Sequence, residues 1–227
     1  MDRFVAHLKA KGWYRQTIMA MDEREPEDVV TVANFVRRHA PEMRISMAGN
    51  RRPSEFRGVR VDSYSQSLHW KYLTPEFLGE ASVRAKAGLV TTFYVCCDPV
   101  RPNTFMASGV GEAFWCGAAP AFLGLDGFLR WAWNSWPCDP VTDASYGHWK
   151  AGDTFLCYPK GEPSWRFLEL RNGIIAAEKL RLLKEEGLSA EEIAPVADLY
   201  DVRKANEGVS SFREIRSKTL ELVNRRR

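Results

Sequence analysis

Residues 16–39 read QTIMAMDEREPEDVVTVANFVRRH, and the period of their apolar residues changes partway along. Gln16 to Met21 is a short apolar run with the length of a strand, and it ends in the acidic cluster Asp22-Glu23-Arg24-Glu25 followed by Pro26. From Glu27 to His39 the residues Val29, Val32, Ala33 and Val36 fall at helical spacing. Pro26 suits a first helical position, and the upstream acids complement the positive end of the helix dipole. The unit is therefore strand, loop, helix.

Outward from this unit the alternation continues. Arg44 to Ala48 reads as a second strand closed by Gly49-Asn50, and Val59 to Ser65 as a third, less regular one. Thr74-Pro75 opens a helix that runs to about Lys86 and stops at Gly88. Leu89 to Cys96 is rich in β-branched and aromatic residues, a buried strand ending at Asp98-Pro99. Glu112 to Leu123 reads as an apolar helix interrupted by Pro120, Gly127 to Asn134 as a strand, and Thr154 to Tyr158 as another. A helix from Phe167 to Glu186 stacks Ala176, Ala177, Leu180 and Leu183 on one side. Ser189 with Glu192 then makes a capping box, and Leu188 with Ile193 its hydrophobic staple, opening a charged helical tail.

Strands that alternate with helices and are apolar on both faces call for a parallel sheet covered by helices, so the fold class is α/β. The short strand ends, carrying polar and aromatic residues, suit the rim of a (β/α) TIM-type barrel. Five strand–helix units are legible, whereas eight usually need about 250 residues, so the expectation is a barrel lacking its first strands. It divides into the C-terminal part of a barrel over residues 1–187 and a helical extension over 188–227.

A chain of 227 residues with 45% hydrophobic and 27% charged residues has ample material for a packed core. Its net charge of +3 names no ligand. Arg51, Arg52, Arg57 and Arg60 form a basic loop, read as solvated surface, and no nucleic acid is expected as partner. No apolar run is long enough to cross a bilayer, and Met1 to Gly12 lacks the apolar centre of a secretory signal, so a soluble chain without membrane partners is expected. Five cysteines without C-x-x-C spacing read as small core residues, and four scattered histidines give no metal site. Eight tryptophans, several between Trp115 and Trp165, exceed what a core of this size needs.

Asp22-Glu23 sits where a strand yields to a loop, the place from which α/β enzymes project catalytic side chains. Neighbours on a straight strand point to opposite faces, so both carboxylates address one ligand only if the chain turns after Met21. Their repulsion would then raise the proton affinity of one of them, as a general acid requires. The other reading is an acidic helix start favoured by the dipole alone.

Four stretches resemble the catalytic domain of glycoside hydrolase family 123, the β-N-acetylgalactosaminidases. They are Ile18 to Glu23; Thr92 to Pro99; Gly127 to Trp136 with Asp139-Pro140; and Gly152 to Pro159 leading into Ser164-Trp165-Arg166 and Arg171-Asn172-Gly173. The last two, in that order and spacing, are the specific ones. The resemblance covers about residues 10 to 186 and corresponds to the C-terminal part of that family's barrel.

The resemblance implies hydrolysis of a β-linked 2-acetamido sugar with the substrate's own acetamido oxygen as nucleophile, an exception to the two-carboxylate scheme. It places an acetamido stabiliser at Asp22 and the acid/base at Glu23, and it implies a glycan partner with a terminal 2-acetamido sugar and no cofactor. Tyr94 then offers its hydroxyl to the acetamido carbonyl, or is an ordinary buried tyrosine. Trp133 stacks on the sugar ring while Trp131 goes to the core. Asn134, Asn50 and Tyr64 either read sugar hydroxyls or cap loops. Ser164, Arg166, Glu169 and Arg171 are read as a structural tie between helix and barrel. Ala176 and Asn172 depart from acids expected there, which bears on helix docking.

Two rival readings remain. A partial barrel leaves unpaired strand edges, so the chain would need self-association or a partner chain to complete it, or would serve as a non-catalytic sugar-binding or structural remnant. A glycosidase with an ordinary carboxylate nucleophile would need a second acid at a distant strand end, such as Asp98.

Overall fold

The computed structural model describes residues 1–225, so Arg226 and Arg227, the last of the expected extension, lie outside the described residues. Helix α1 (Asp2–Ala10) precedes β1 (Ile18–Asp22), α2 (Pro26–His39), β2 (Arg44–Gly49), β3 (Ser63–Ser67), α3 (Pro75–Lys86), β4 (Val90–Val95), α4 (Glu112–Leu123) and β5 (Gly127–Arg130). After a long aromatic loop come α5 (Trp165–Glu185), α6 (Ala190–Ala197), α7 (Val202–Asn206) and α8 (Phe212–Val223). Local chemistry sets the helix starts. Pro26 occupies the first turn of α2, with Glu27 and Asp28 beside it and Arg37, Arg38 and His39 at the far end. The hydroxyls of Thr74 and Ser164 accept the Phe77 and Phe167 amides, and Ser189 and Glu192 form the capping box at α6.

Among the described residues the strands form one parallel sheet in the order β1-β2-β3-β4-β5. A doubly wound sheet reverses its strand order at a switch point; this one does not, and its helices lie on one side. Val29 of α2, Phe77 of α3 and Trp115 of α4 share a core with Met47, Tyr64 and Phe93 of the sheet. The opposite face carries small and polar residues: Ala20 and Asp22, Ser46 and Ala48, Ser65 and Ser67, Thr92 and Tyr94. This is the order and sidedness of a barrel wall. The expected barrel is nevertheless not closed here: β1 and β5 are the edges of an open five-stranded sheet.

The C-terminal helices enter the same core. Tyr200 stacks on Phe122 at 4.1 Å and 9° and lies 5.5 Å from Trp115, and Ile193, Val202 and Ile215 join the cluster. The Asn206 side chain accepts the Trp70 amide at 2.8 Å and donates to the Arg101 carbonyl at 2.8 Å, tying α7 to two loops at the C-terminal ends of β3 and β4. Helices α4 and α5 cross at glycine: a Cβ on Gly173 would lie 2.1 Å from the Phe114 carbonyl oxygen, and one on Gly117 2.4 Å from that of Leu170.

Several expected elements differ. The third strand is Ser63–Ser67, because Val59 and Val61 pack inward from the approach to it rather than from the ladder. Pro120 does not interrupt α4, which runs on to Leu123; tight packing of its buried Ala118 and Ala119 outweighs the lost amide hydrogen bond. The fifth strand stops at Arg130 instead of Asn134, so Trp131 and Trp133 lie in the loop beyond it. The stop has a cause: Arg130 forms a buried ion pair with Asp153 at 2.8 Å, and the Trp131 indole donates to the same carboxylate at 3.1 Å, drawing the chain into the loop. Thr154 to Tyr158 forms only isolated bridges, Asn134 with Phe155 and Cys157 with Pro163. The tie expected between α5 and the barrel is made by Arg166, whose guanidinium donates to the Thr104 and Gly152 carbonyls, while Glu169 is gripped by Arg216 of α8 at 2.7 Å. Of the cysteines only Cys116 is a core residue; Cys97 and Cys138 are exposed. No helix among the described residues is long and apolar enough to cross a membrane.

Candidate active site

The turn after β1 brings two carboxylates to the C-terminal end of the sheet. Asp22 is the last residue of β1, and its register row runs Asp22, Ala48, Ser65, Thr92, Gly127 on the face away from the helices. Glu23 keeps its amide on the ladder, donating to the Ala48 carbonyl at 2.8 Å, but its φ is +43°. A non-glycine residue in that region is uncommon and strained, and here it breaks the alternation that would have sent Glu23 to the opposite face from Asp22. The predicted turn after Met21 thus occurs, one residue later.

Tyr94, second to last in β4, lies on the same face as Asp22, because it follows the helix-side Phe93. It is 5% exposed, and its hydroxyl donates to Glu23 Oε1 at 2.5 Å. Burial first, and then the Glu23 carboxylate, raises the phenol far above its ordinary range, so the hydroxyl stays protonated and remains a donor. Burial and, second, the charge of Glu23 raise the Asp22 carboxyl, with Arg24 opposing them. The repulsion expected within the acid pair therefore registers on Asp22.

That shift carries a stability prediction. The folded chain holds the Asp22 proton more tightly than the unfolded one, so this group favours folding below the ordinary carboxylate value of about 3.9, and the contribution is lost as pH rises through the raised native value. At neutral pH an ionised Asp22 works against the fold. Asp22→Asn should therefore melt above the parent at pH 7, with the gap closing below about pH 4; identical melting curves at every pH would refute the penalty.

Of the other expected site residues, Trp133, Asn134 and Asn50 lie in loops after β5 and β2, at the same end of the sheet, with separate contacts. Trp133 is 42% exposed and meets Phe167 of α5 edge-on at 5.5 Å. Asn134 is exposed and bridges Phe155. Asn50 is exposed just after β2 and borders a polar cavity with Gln66 and Tyr72. Tyr64 is fully buried between Phe56 and Phe77, and its hydroxyl is spent on the Arg51 carbonyl, so it belongs to the core on the helix side. Trp131, assigned to the core from sequence, is instead 41% exposed beside Trp149 at 4.9 Å. The basic loop is neutralised by acids, Arg51 by Glu25 and Arg57 by Glu27, each at 2.8 Å. Gln66, which no sequence signal singled out, is buried with both amide atoms unpartnered.

The family described as "Glycoside hydrolase 123, catalytic domain" matches residues 1–183. A solved structure described as a family 123 glycoside hydrolase from Clostridium perfringens, in work on glycolipid glycan hydrolysis, superposes with a TM-score of 0.78 at 24% identity. The match covers 98% of this chain and 43% of that one, so the chain spans less than half of that relative's length. No curated protein matches.

Proposed function

The chain belongs to glycoside hydrolase family 123, and from that premise we propose that it removes β-linked N-acetylgalactosamine with retention of configuration, the substrate's 2-acetamido group acting as the nucleophile. The observation that carries the reading is the junction of Glu23 and Tyr94 at 2.5 Å beside Asp22. In the first step the acetamido oxygen attacks the anomeric carbon, and Glu23 gives its proton to the departing glycosidic oxygen. Asp22 accepts the amide N–H and offsets the positive charge of the oxazolinium-like intermediate. In the second step Glu23 takes a proton from water, which opens the intermediate at the anomeric carbon and returns Glu23 to its protonated form.

Tyr94 has one proton to donate. While Glu23 is ionised, the carboxylate holds that proton and is itself held in one orientation. Once Glu23 is protonated it needs no donor, and the Tyr94 hydroxyl turns to the acetamido carbonyl. Tyr94→Phe is expected to lower kcat by about a hundredfold with little change in KM; an unchanged kcat would assign Tyr94 to packing alone.

Release of p-nitrophenol from the p-nitrophenyl β-N-acetylgalactosaminide, and its inhibition by an oxazoline-mimicking thiazoline, tests the reading. The unpaired edges of β1 and β5 favour a second one, a carbohydrate-binding or structural remnant that turns over nothing unless self-association or a partner chain completes the barrel. A folded chain that neither hydrolyses the substrate nor binds the thiazoline belongs to that second reading.

A further inference from the structure

We propose that the cavity behind the ends of β2 and β3 is a second carbohydrate site, which takes a single pyranose through the side-chain amide of Gln66. The cavity has a volume of about 330 Å³ and is walled by Asn50, Arg52, Lys71, Tyr72 and Thr74, with Gln66 at its inner wall. That is the low end of the range for small-ligand pockets.

Its position separates it from the acid pair. Gln66 belongs to the register row Gly49, Gln66, Phe93, Phe128, on the helix-covered face, whereas Asp22 and Tyr94 belong to the other face. Phe93 of that row packs against Trp115 and Phe128, as expected for a core position. Gln66 is the polar exception. It is 0% exposed, and neither its amide nitrogen nor its amide oxygen has a partner. Leaving a buried donor and a buried acceptor both unmade carries the full desolvation penalty of each, so a native chain keeps such a group where something polar meets it.

The chemistry of the walls selects the class of ligand. One carboxamide offers a donor and an acceptor side by side, which matches two adjacent hydroxyls. The Tyr72 ring, 37% exposed, offers an apolar face of the kind on which pyranoses stack. The charged groups largely answer one another, Arg51 by Glu25 and Arg52 by Glu55, which disfavours a multiply charged ligand. The choice of a sugar rests on the glycosidase reading; the unsatisfied site does not.

The test is a titration of the isotopically labelled full chain with galactose, following backbone amide shifts, with the thiazoline present to occupy the acid pair. The expected result is a saturable shift at Asn50, Gln66 and Tyr72 that persists in Glu23→Gln. It should weaken about tenfold or more, some 1.4 kcal/mol, in both Gln66→Leu and Tyr72→Ala. Tyr72→Ala alters an exposed wall, so it reports even if Gln66→Leu fails to fold. Shifts confined to the Asp22–Glu23 turn and lost in Glu23→Gln would overturn this site while leaving the glycosidase reading intact. The absence of any saturable shift at Asn50, Gln66 and Tyr72 would show a cavity that holds water only.

Discussion

Glu23→Gln is expected to lower the turnover of a glycan substrate by about 10²–10⁴-fold, and to lower turnover of the p-nitrophenyl glycoside by less. The difference follows from the role. A sugar alkoxide is a poor leaving group and needs a proton as the bond breaks, whereas p-nitrophenolate departs with little help. Glutamine keeps the shape of the side chain and its contact with Tyr94, but it has no proton to give. Asp22→Asn should behave differently, with comparable losses on both substrates, because orienting the acetamido group and offsetting the oxazolinium charge matter whatever leaves. Rate ratios for the two variants on the two substrates check the assignment. Equal losses for Glu23→Gln on both substrates would reverse it or remove Glu23 from proton transfer.

The second large effect concerns the scaffold. Gly173→Ala and Gly117→Ala should each destabilise the fold by about 3 kcal/mol or more, above the usual overpacking loss, or prevent accumulation of folded protein. Alanine is ordinarily the better helix residue by roughly 0.8–1 kcal/mol, so propensity alone predicts the opposite sign. Geometry decides, because the new Cβ atoms would sit 2.1 and 2.4 Å from backbone carbonyl oxygens, and backbone cannot rotate away as a side chain can. Gly79→Ala is the control. Gly79 lies on the exposed side of α3 with nothing within 4 Å of the added atom, so this change should stabilise by about 0.5–1 kcal/mol. Urea unfolding of the three variants measures both signs, and a neutral Gly173→Ala would mean that α4 and α5 separate without penalty.

Much of the scaffold was legible because it is written locally. Pro26, Thr74, Ser164 and Ser189 mark helix starts through hydrogen bonds within one turn, and the apolar runs before Asp22, Asn50 and Asp98 mark β1, β2 and β4. The aromatic loop was not legible. Gly127 to Asn134 has the composition of a strand, but a buried ion pair with Asp153, 23 residues away, ends β5 at Arg130 and leaves Trp131 at the surface. No local pattern announces a partner that distant. Tyr64 and Tyr94 illustrate the same limit. Both are tyrosines in strands, yet register turns Tyr64 into the helix-side core and Tyr94 onto the carboxylate face.

By itself the sequence determined the alternation of strands and helices, the acid pair at the end of β1, and a resemblance specific enough to name a family, since each depends on the kinds and order of residues along the chain. Only the tertiary structure decided that Glu23 turns at positive φ to meet Tyr94, that α5 ties to α8, and that Gln66 is buried without a partner. These depend on strand register and helix packing, in which groups remote in sequence compete for the same space and the same hydrogen bonds.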